Sequence, residues 1–305
     1  MKILVTGGAG FIASHVADAY LAEGHEVVIM DDLSTGSRDN LNPAARFVQM
    51  DVADPQAAEL VAAEGFDVIN HHAAQVSVPH SMQDPRADLR ANAEGTLNLV
   101  RAAAASGVKR FIFISSGGAV YGEQQKLPIP EDALPRPLSP YAAHKLVGEC
   151  YLPIFSQQSG LQYVILRYAN VYGPRQVSHA EAGVVVIFCN AIQAGKKPTI
   201  YRYPDQPRGM VRDYVYVGDV VRANLAALER GDNGTFNIGT GIGTDTLTLW
   251  ETLATAAGSD PDCDFGPPRP GDLKNSILDS SRAARELGWQ PQVDLEQGLS
   301  LTWGR

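Results

Sequence analysis

Tyr141 and Lys145 stand four residues apart within SPYAAHKLVGE, residues 139–149. On a helix that spacing stacks a phenol and an ammonium on one face, where the cation favours the ionised phenol. Such a pair makes a base that can take a proton from a hydroxyl group. Alone, the spacing also describes a surface Tyr beside a surface Lys, so the weight falls on what accompanies it.

A second group of residues points to a dinucleotide. Gly7, Gly8 and Gly10 lie between an apolar run and a helical one, where backbone N–H groups can meet a pyrophosphate at a helix N-terminus. Ala13 replaces the third glycine of the usual loop. Asp31 follows about 20 residues on, where a carboxylate accepts from a ribose 2′-hydroxyl and repels a 2′-phosphate. That predicts NAD, with nearby Arg38 arguing the other way and a solvated turn as the plain alternative for Asp31 and Asp32. Asp51 with Val52 can hold the adenine edge. In HHAAQ, residues 71–75, small Ala73 and Ala74 let the backbone pass close to the cofactor, while His71 and His72 serve equally well as core or helix-capping histidines.

These residues need a frame. KILVTGG reads as a buried strand ending in glycines, and FIASHVADAYLAEGH as a helix closed by Gly24. EVVIMDD, ARFVQMDV, FDVINHHAA, RFIFISS and YVILRYANVYG repeat the strand theme, with helical stretches such as DLRANAEGTLNLVRAAAASG between them. Strands alternating with helices predict an α/β fold, a doubly wound parallel sheet covered on both faces. The texture changes after NVYGPRQ. The expected division is a dinucleotide-binding Rossmann domain over 1–172, with part of 213–240 returning to it, and a smaller mixed α/β substrate domain over 173–305.

The chain has 305 residues, 45% hydrophobic and 19% charged, with a formal charge of −9. It lacks the basic excess of a general nucleic-acid binder. An anionic small ligand needs local arginines, which the segments around Arg208, Arg212 and Arg269 can supply. Arg212 beside Asp213 also reads as a surface ion pair. Cys150, Cys189 and Cys263 are odd in number and widely spaced, which points away from disulfides and metal and towards a reducing cytoplasm. Glycines interrupt the opening apolar run where a signal peptide would continue. No run reaches the length of a membrane span.

The motifs TGGAGFIASH, DDLSTGS, HHAAQVSV, SSGGAVYGE, PYAAHK, LRYANVYGPRQ, RDYVYVGDV and RPGDL, in that order, resemble the extended short-chain dehydrogenase/reductase family. Within it they are most similar to the NAD-dependent nucleotide-sugar epimerases that act at carbon 4 of UDP-glucose. The resemblance covers Met1 to about Trp303. It implies that Tyr141 is the acid/base and that Lys145 lowers its pKa and binds the nicotinamide ribose. It implies a hydroxyl between phenol and substrate, taken as Ser116 with Ser115 in reserve, although the commoner family position falls on Gly117. Both serines could instead only satisfy backbone groups at a strand end.

Cofactor contacts implied by the resemblance are Gly7, Gly10, Phe11, Ile12, Asp31, Asp32, Ser34, Thr35, Gly36, Asp51, Val52, His71, Ala73, Ala74, Gln75, Asn92, Ser115 and Tyr168, besides Tyr141 and Lys145. Substrate contacts are Ser116, Tyr141, Asn170, Val185, Arg212, Arg269 and Asp272, with Asn170 and Arg212 at the diphosphate end and Arg269 and Asp272 on phosphate and ribose. Gly117, Gly118 and Ala119 lack the acids that sister dehydratases and decarboxylases carry there, which leaves oxidation at carbon 4 of a UDP-hexose and return of hydride to the other face. Ser276 stands where some members that reject N-acetylated sugars have Tyr, implying room for UDP-GlcNAc. A homodimer is implied through the helix bearing Tyr141 and the helix around Asn92 to Ala105. The competing expectations are a 4-epimerase of UDP-GlcNAc or UDP-glucuronate, an NADPH-dependent reductase, and a non-catalytic dinucleotide sensor. Intact Tyr141 and Lys145 oppose the sensor.

Overall fold

The computed structural model describes residues 1–177, 183–269 and 272–304. Within them the strands, in chain order, are β1 (Lys2–Thr6), β2 (Glu26–Asp31), β3 (Arg46–Gln49), β4 (Val68–His71), β5 (Arg110–Ser116), β6 (Gln162–Tyr168), β7 (Asn170–Tyr172), β8 (Thr199–Tyr201), β9 (Val211–Tyr216), β10 (Gly234–Ile238), β11 (Gly243–Asp245), β12 (Asp264–Gly266) and β13 (Asn275–Ser276). Seven of them form one sheet in the order β10-β6-β5-β4-β1-β2-β3, parallel at each pairing. Their apolar residues are buried on both faces, as a parallel sheet under two helical layers requires. On one side Val16 and Tyr20 of the helix Phe11–Ala22 share a cluster with Val220 and Ala223 of the helix Val217–Ala227. On the other, Val61, Leu99 and Leu152 come from three further helices.

Strand order reverses between β1 and β4, and the crevice beyond the carboxyl ends at such a reversal is the usual ligand position in sheets of this kind. β10 joins the large sheet beside β6. β9 does not; it pairs with β7, β11 and β13 in a smaller sheet. A separate core of Tyr172, Phe188, Trp250 and Leu253 supports that part.

Two helices bring side chains to the crevice. DLRANAEGTLNLVRAAAASG is helical, but in three pieces: Pro85–Leu89, a π turn over Arg90–Glu94, and Gly95–Ser106. The π turn interrupts the regular ladder where Asn92 lies, and such insertions often mark functional sites. The helix Pro140–Ser159 starts with Pro140 in its first turn and is capped by Ser139, whose side chain accepts from Ala142 N at 3.2 Å; both are strong start signals. Its buried face runs Tyr141, Ala142, Lys145, Gly148, Glu149, Leu152.

Candidate active site

The close approach of this helix to β5 depends on Gly148. A Cβ built there would lie 2.5 Å from Phe113 Cζ and 3.1 Å from its Cε2. Gly148→Ala is therefore expected to push the helix off the sheet at a cost of about 1–3 kcal/mol, read as a lower thermal midpoint. Unchanged stability would show that the contact relaxes without strain.

Tyr141 is 9% exposed and Lys145 3%. The phenol adjoins the Ser116 side chain, which helps to hold its pKa down. Lys145 Nζ donates to the Ile114 carbonyl at 3.0 Å and lies 5.3 Å from the centre of the Phe113 ring. Ser115, the reserve, is engaged elsewhere, donating from Oγ to Glu149 Oε1 at 2.6 Å. Glu149 in turn holds Arg167 through both carboxylate oxygens, at 2.9 and 2.5 Å.

Burial pushes the Tyr141 phenol up to about 12, with Ser116 pulling it down and the buried Asp88 carboxylate pushing it further up. Lys145 is itself brought down to about 8 by burial, with Asp88 and Glu149 supporting its charge. Desolvation thus outweighs neighbouring charge at both groups. A phenol lowered by Lys145, the expected arrangement, is not what these residues produce by themselves.

On the dinucleotide side, Gly7 has φ +69, and a Cβ on it would lie 2.8 Å from Ala73 N and 2.9 Å from Ala73 Cα. Only glycine fits where the loops after β1 and β4 meet. A Cβ on Gly10 would meet only Gly7 O, at 3.1 Å. Gly10 starts the 12-residue helix Phe11–Ala22, which has no side-chain cap and no acid in its first turn. The N–H groups around Phe11 and Ile12 are thus suited to an anion. Asp31 accepts from Ala9 N at 3.0 Å and from Leu33 N at 2.8 Å. Its oxygens retain further lone pairs, and burial raises its pKa against those two bonds. Asp32 turns onto Ser34, taking its N–H at 2.8 Å and its hydroxyl at 2.6 Å. The loop carrying Thr35 and Gly36 folds back onto Ala9, whose carbonyl accepts from Ser37 N and from Asn40 Nδ2; Asn40 was not foreseen. Arg38 is turned onto Gln49 and stacks over Phe47.

Several expected cofactor residues have their side chains occupied. His71 is 1% exposed, with Nδ1 2.8 Å from Thr6 Oγ1 and Nε2 3.0 Å from Thr96 Oγ1. It is the core histidine of the two readings, and burial drives its pKa well down. The Tyr168 hydroxyl accepts from Asn224 Nδ2 at 2.6 Å inside the core. Asp51 holds Ala53 N and Arg90, and Val52 is buried. Gln75 and Asn92 meet beside the crevice, Asn92 Nδ2 donating to Gln75 O at 3.0 Å. Asn92 Oδ1 and His72 Nδ1 are buried with no hydrogen-bond partner among the described residues. Unpartnered polar atoms, an uncapped helix start and an acid at the end of β2 together fit a dinucleotide.

On the other side of Tyr141, a Cβ on Gly118 would lie 3.4 Å from Asn170 Oδ1 and 4.0 Å from Ser116 Oγ, so these three line one opening. Gly117 instead backs onto Leu278, 2.5 Å from a built Cβ. The Arg212–Asp213 ion pair does not form. Asp213 is 1% exposed and collects the Thr240 N–H and hydroxyl and the N–H groups of Gly241 and Leu278. Arg212 donates only to the carbonyls of Val211 and Lys274, and burial lowers its pKa while Asp272, among others, opposes the shift. A half-buried guanidinium with no carboxylate in salt-bridge contact among the described residues is suited to an anion. Arg269 pairs with Asp272 at 3.3 Å and lies 5.0 Å from the centre of the Tyr201 ring; Pro270 and Gly271 of the same motif lie outside the described residues. Val185 is buried against Phe188 and Trp250, and Ser276, 3% exposed, is the register partner of Arg212.

Residues 3–239 match the model of the NAD dependent epimerase/dehydratase family. The UDP-glucose 4-epimerase of Mycolicibacterium smegmatis is 44% identical, over 99% of this chain and 97% of that protein. The crystal structure of the Thermotoga maritima UDP-glucose 4-epimerase with UDP-glucose superposes with a TM-score of 0.96 at 46% identity, covering 100% of this chain and 98% of that one. The Thermus thermophilus UDP-glucose 4-epimerase in complex with NAD gives a TM-score of 0.93 at 44% identity, with the same coverage.

Proposed function

This chain belongs to the NAD dependent epimerase/dehydratase family, and from that membership we propose that it interconverts UDP-glucose and UDP-galactose by NAD-dependent oxidation at carbon 4 and return of hydride to the opposite face. The observation that carries the reading is buried Tyr141 next to Ser116, set beside Lys145 and facing the opening lined by Gly118 and Asn170. When bound, NAD⁺ supplies the hydride acceptor and donor, together with a positive charge that favours phenolate. Tyr141 takes the proton of the 4-hydroxyl and later gives it back. Ser116 holds the phenol and the sugar oxygen in line, and Lys145 anchors the ribose side. The loop at 117–119 offers no further acid, so neither elimination nor decarboxylation has a group to assist it. Arg212, Arg269 and Asp272 grip the nucleotide diphosphate through planar, charge-assisted bonds, while the hexose meets glycine and small polar groups and is free to turn.

We also propose the division of the chain given above, a homodimer and a cytoplasmic setting. Support for the dimer comes from Leu89 and Ile154, both exposed on or beside the two helices concerned. For the cytoplasm it comes from three free cysteines. Among the described residues no helix is long and apolar enough to cross a membrane.

The test is to incubate the purified protein with UDP-galactose, without added reductant, and follow the sugars by NMR. Equilibration with UDP-glucose is expected. No conversion, even with NAD added, would overturn the reading. UDP-GlcNAc in the same assay is expected to convert as well, because Ser276 is small; if it does not, Ser276 does not set the acceptance of N-acetylated sugars.

A further inference from the structure

Asp88 is wholly buried, yet its carboxylate makes no contact with Arg or Lys among its hydrogen bonds. It lies on the helix Pro85–Leu89 just ahead of the π turn and accepts from three separate elements. Oδ1 takes Gln75 Nε2 at 2.6 Å, from the loop after β4, and Asn92 Nδ2 at 2.9 Å, from the π turn. Oδ2 lies 2.5 Å from His144 Nδ1, on the helix that carries Tyr141 and Lys145. Burying a carboxylate costs several kcal/mol unless donors replace its water, and an apolar residue would join the same elements without that cost. The contrast with Glu149 is direct: that carboxylate is neutralised by Arg167, whereas Asp88 meets the imidazole of His144. We infer that Asp88 is a positioning residue of the reaction proposed above: with His144 it clamps the catalytic helix to the cofactor-side loop and keeps a negative charge facing Tyr141 and Lys145.

The electrostatics agree in sign. Asp88 raises the pKa of the Tyr141 phenol and that of the Lys145 ammonium. The groups facing it from the catalytic helix are Tyr141, His144 and Lys145. From the loop and the π turn it meets only the amides of Gln75 and Asn92, since Arg90 is turned onto Asp51 and Asp54. His80, in the preceding helix, is exposed. Removing the charge at position 88 therefore lowers the Tyr141 pKa, whereas removing His144 leaves that carboxylate in place. Asp88→Asn keeps the geometry, because its oxygen can still accept from Gln75 and Asn92, and its amide can donate to His144 Nδ1 when that ring carries its proton on Nε2.

The experiment compares the NAD-loaded wild type, Asp88→Asn and His144→Gln. Two readouts are taken: the pH profile of kcat/KM with UDP-galactose, and the ionisation of Tyr141 by ultraviolet difference titration against Tyr141→Phe. Asp88→Asn is expected to move both the ascending limb and the phenol midpoint down by about half a unit or more, whereas His144→Gln, which keeps the carboxylate, does not move the phenol midpoint down. A fall in kcat with neither midpoint displaced would reduce Asp88 to ordinary packing and sink the inference. If the wild type turns over no UDP-galactose, the functional reading fails by itself and the phenol titration still decides the role of Asp88.

Discussion

Tyr141→Phe is expected to fold normally and to lose epimerisation by roughly 10³-fold in kcat, within the usual range for a general acid/base. The substitution removes one oxygen and keeps the ring in its buried place on the capped helix. The structural cost is the contact with Ser116, about 1 kcal/mol or less, so the thermal midpoint should move by a few degrees at most. The chemical cost is complete, because the phenol is the group at this position that can both accept and return the proton. Lys145 is turned onto the Ile114 carbonyl and Ser115 onto Glu149, so neither substitutes for it. Retention of NAD and UDP-sugar by the inactive variant, followed by fluorescence or calorimetry, separates loss of chemistry from loss of binding. A variant that keeps a tenth of wild-type turnover would show that another group, with Ser116 first in line, moves the proton.

The same centre shows what a one-dimensional reading can and cannot reach. Tyr141 and Lys145 were legible because their spacing obeys the helical repeat and a Ser-Pro start precedes them. The glycine loop and Asp31 were legible because strand, turn and helix signals surround them. The choice between Ser115 and Ser116 turned on strand alternation: successive residues of β5 face opposite ways, so one serine meets Glu149 and the other Tyr141. His71 and Tyr168 gave the reverse problem. Both end buried strands beside the crevice, yet their side chains are consumed by Thr6, Thr96 and Asn224, partners that lie 25 to 65 residues away and leave no periodic trace. Asp88 was missed for the same reason, and because a π turn has no sequence signature comparable to a cap. For Arg212 beside Asp213 a surface pair stood as the alternative to a diphosphate contact, since adjacency says nothing of burial; four donors from the segments around Thr240 and Leu278 hold the aspartate inside instead. Arg167 did leave a signal that went unused. A lone cation inside the apolar run YVILRY demands a buried anion, and Glu149 lies four residues beyond Lys145 on the buried face of its helix.

That pair carries the second large effect. Arg167→Met is expected to destabilise the protein by about 3–5 kcal/mol, the usual consequence of leaving one partner of a buried ion pair alone and a large share of a typical domain's total stability. Urea denaturation would measure it. Arg167 is buried, its Nη1 also reaches the Tyr121 hydroxyl at 2.7 Å, and its charge is held up strongly by Glu149 against the opposing effect of burial. In the variant Glu149 keeps only the Ser115 hydroxyl as a donor among these bonds. Adding Glu149→Leu to Arg167→Met removes the stranded charge, and most of the loss should return, since apolar replacement of a buried pair is often near neutral. A double variant no more stable than the single would mean that Arg167 acts through Tyr121 and packing rather than through Glu149. Recovery of stability without recovery of turnover would place the pair's importance in catalysis: Glu149 sits one turn after Lys145 and supports its charge, so a core that folds equally well with Leu and Met can still leave the ammonium weakly held beside Tyr141.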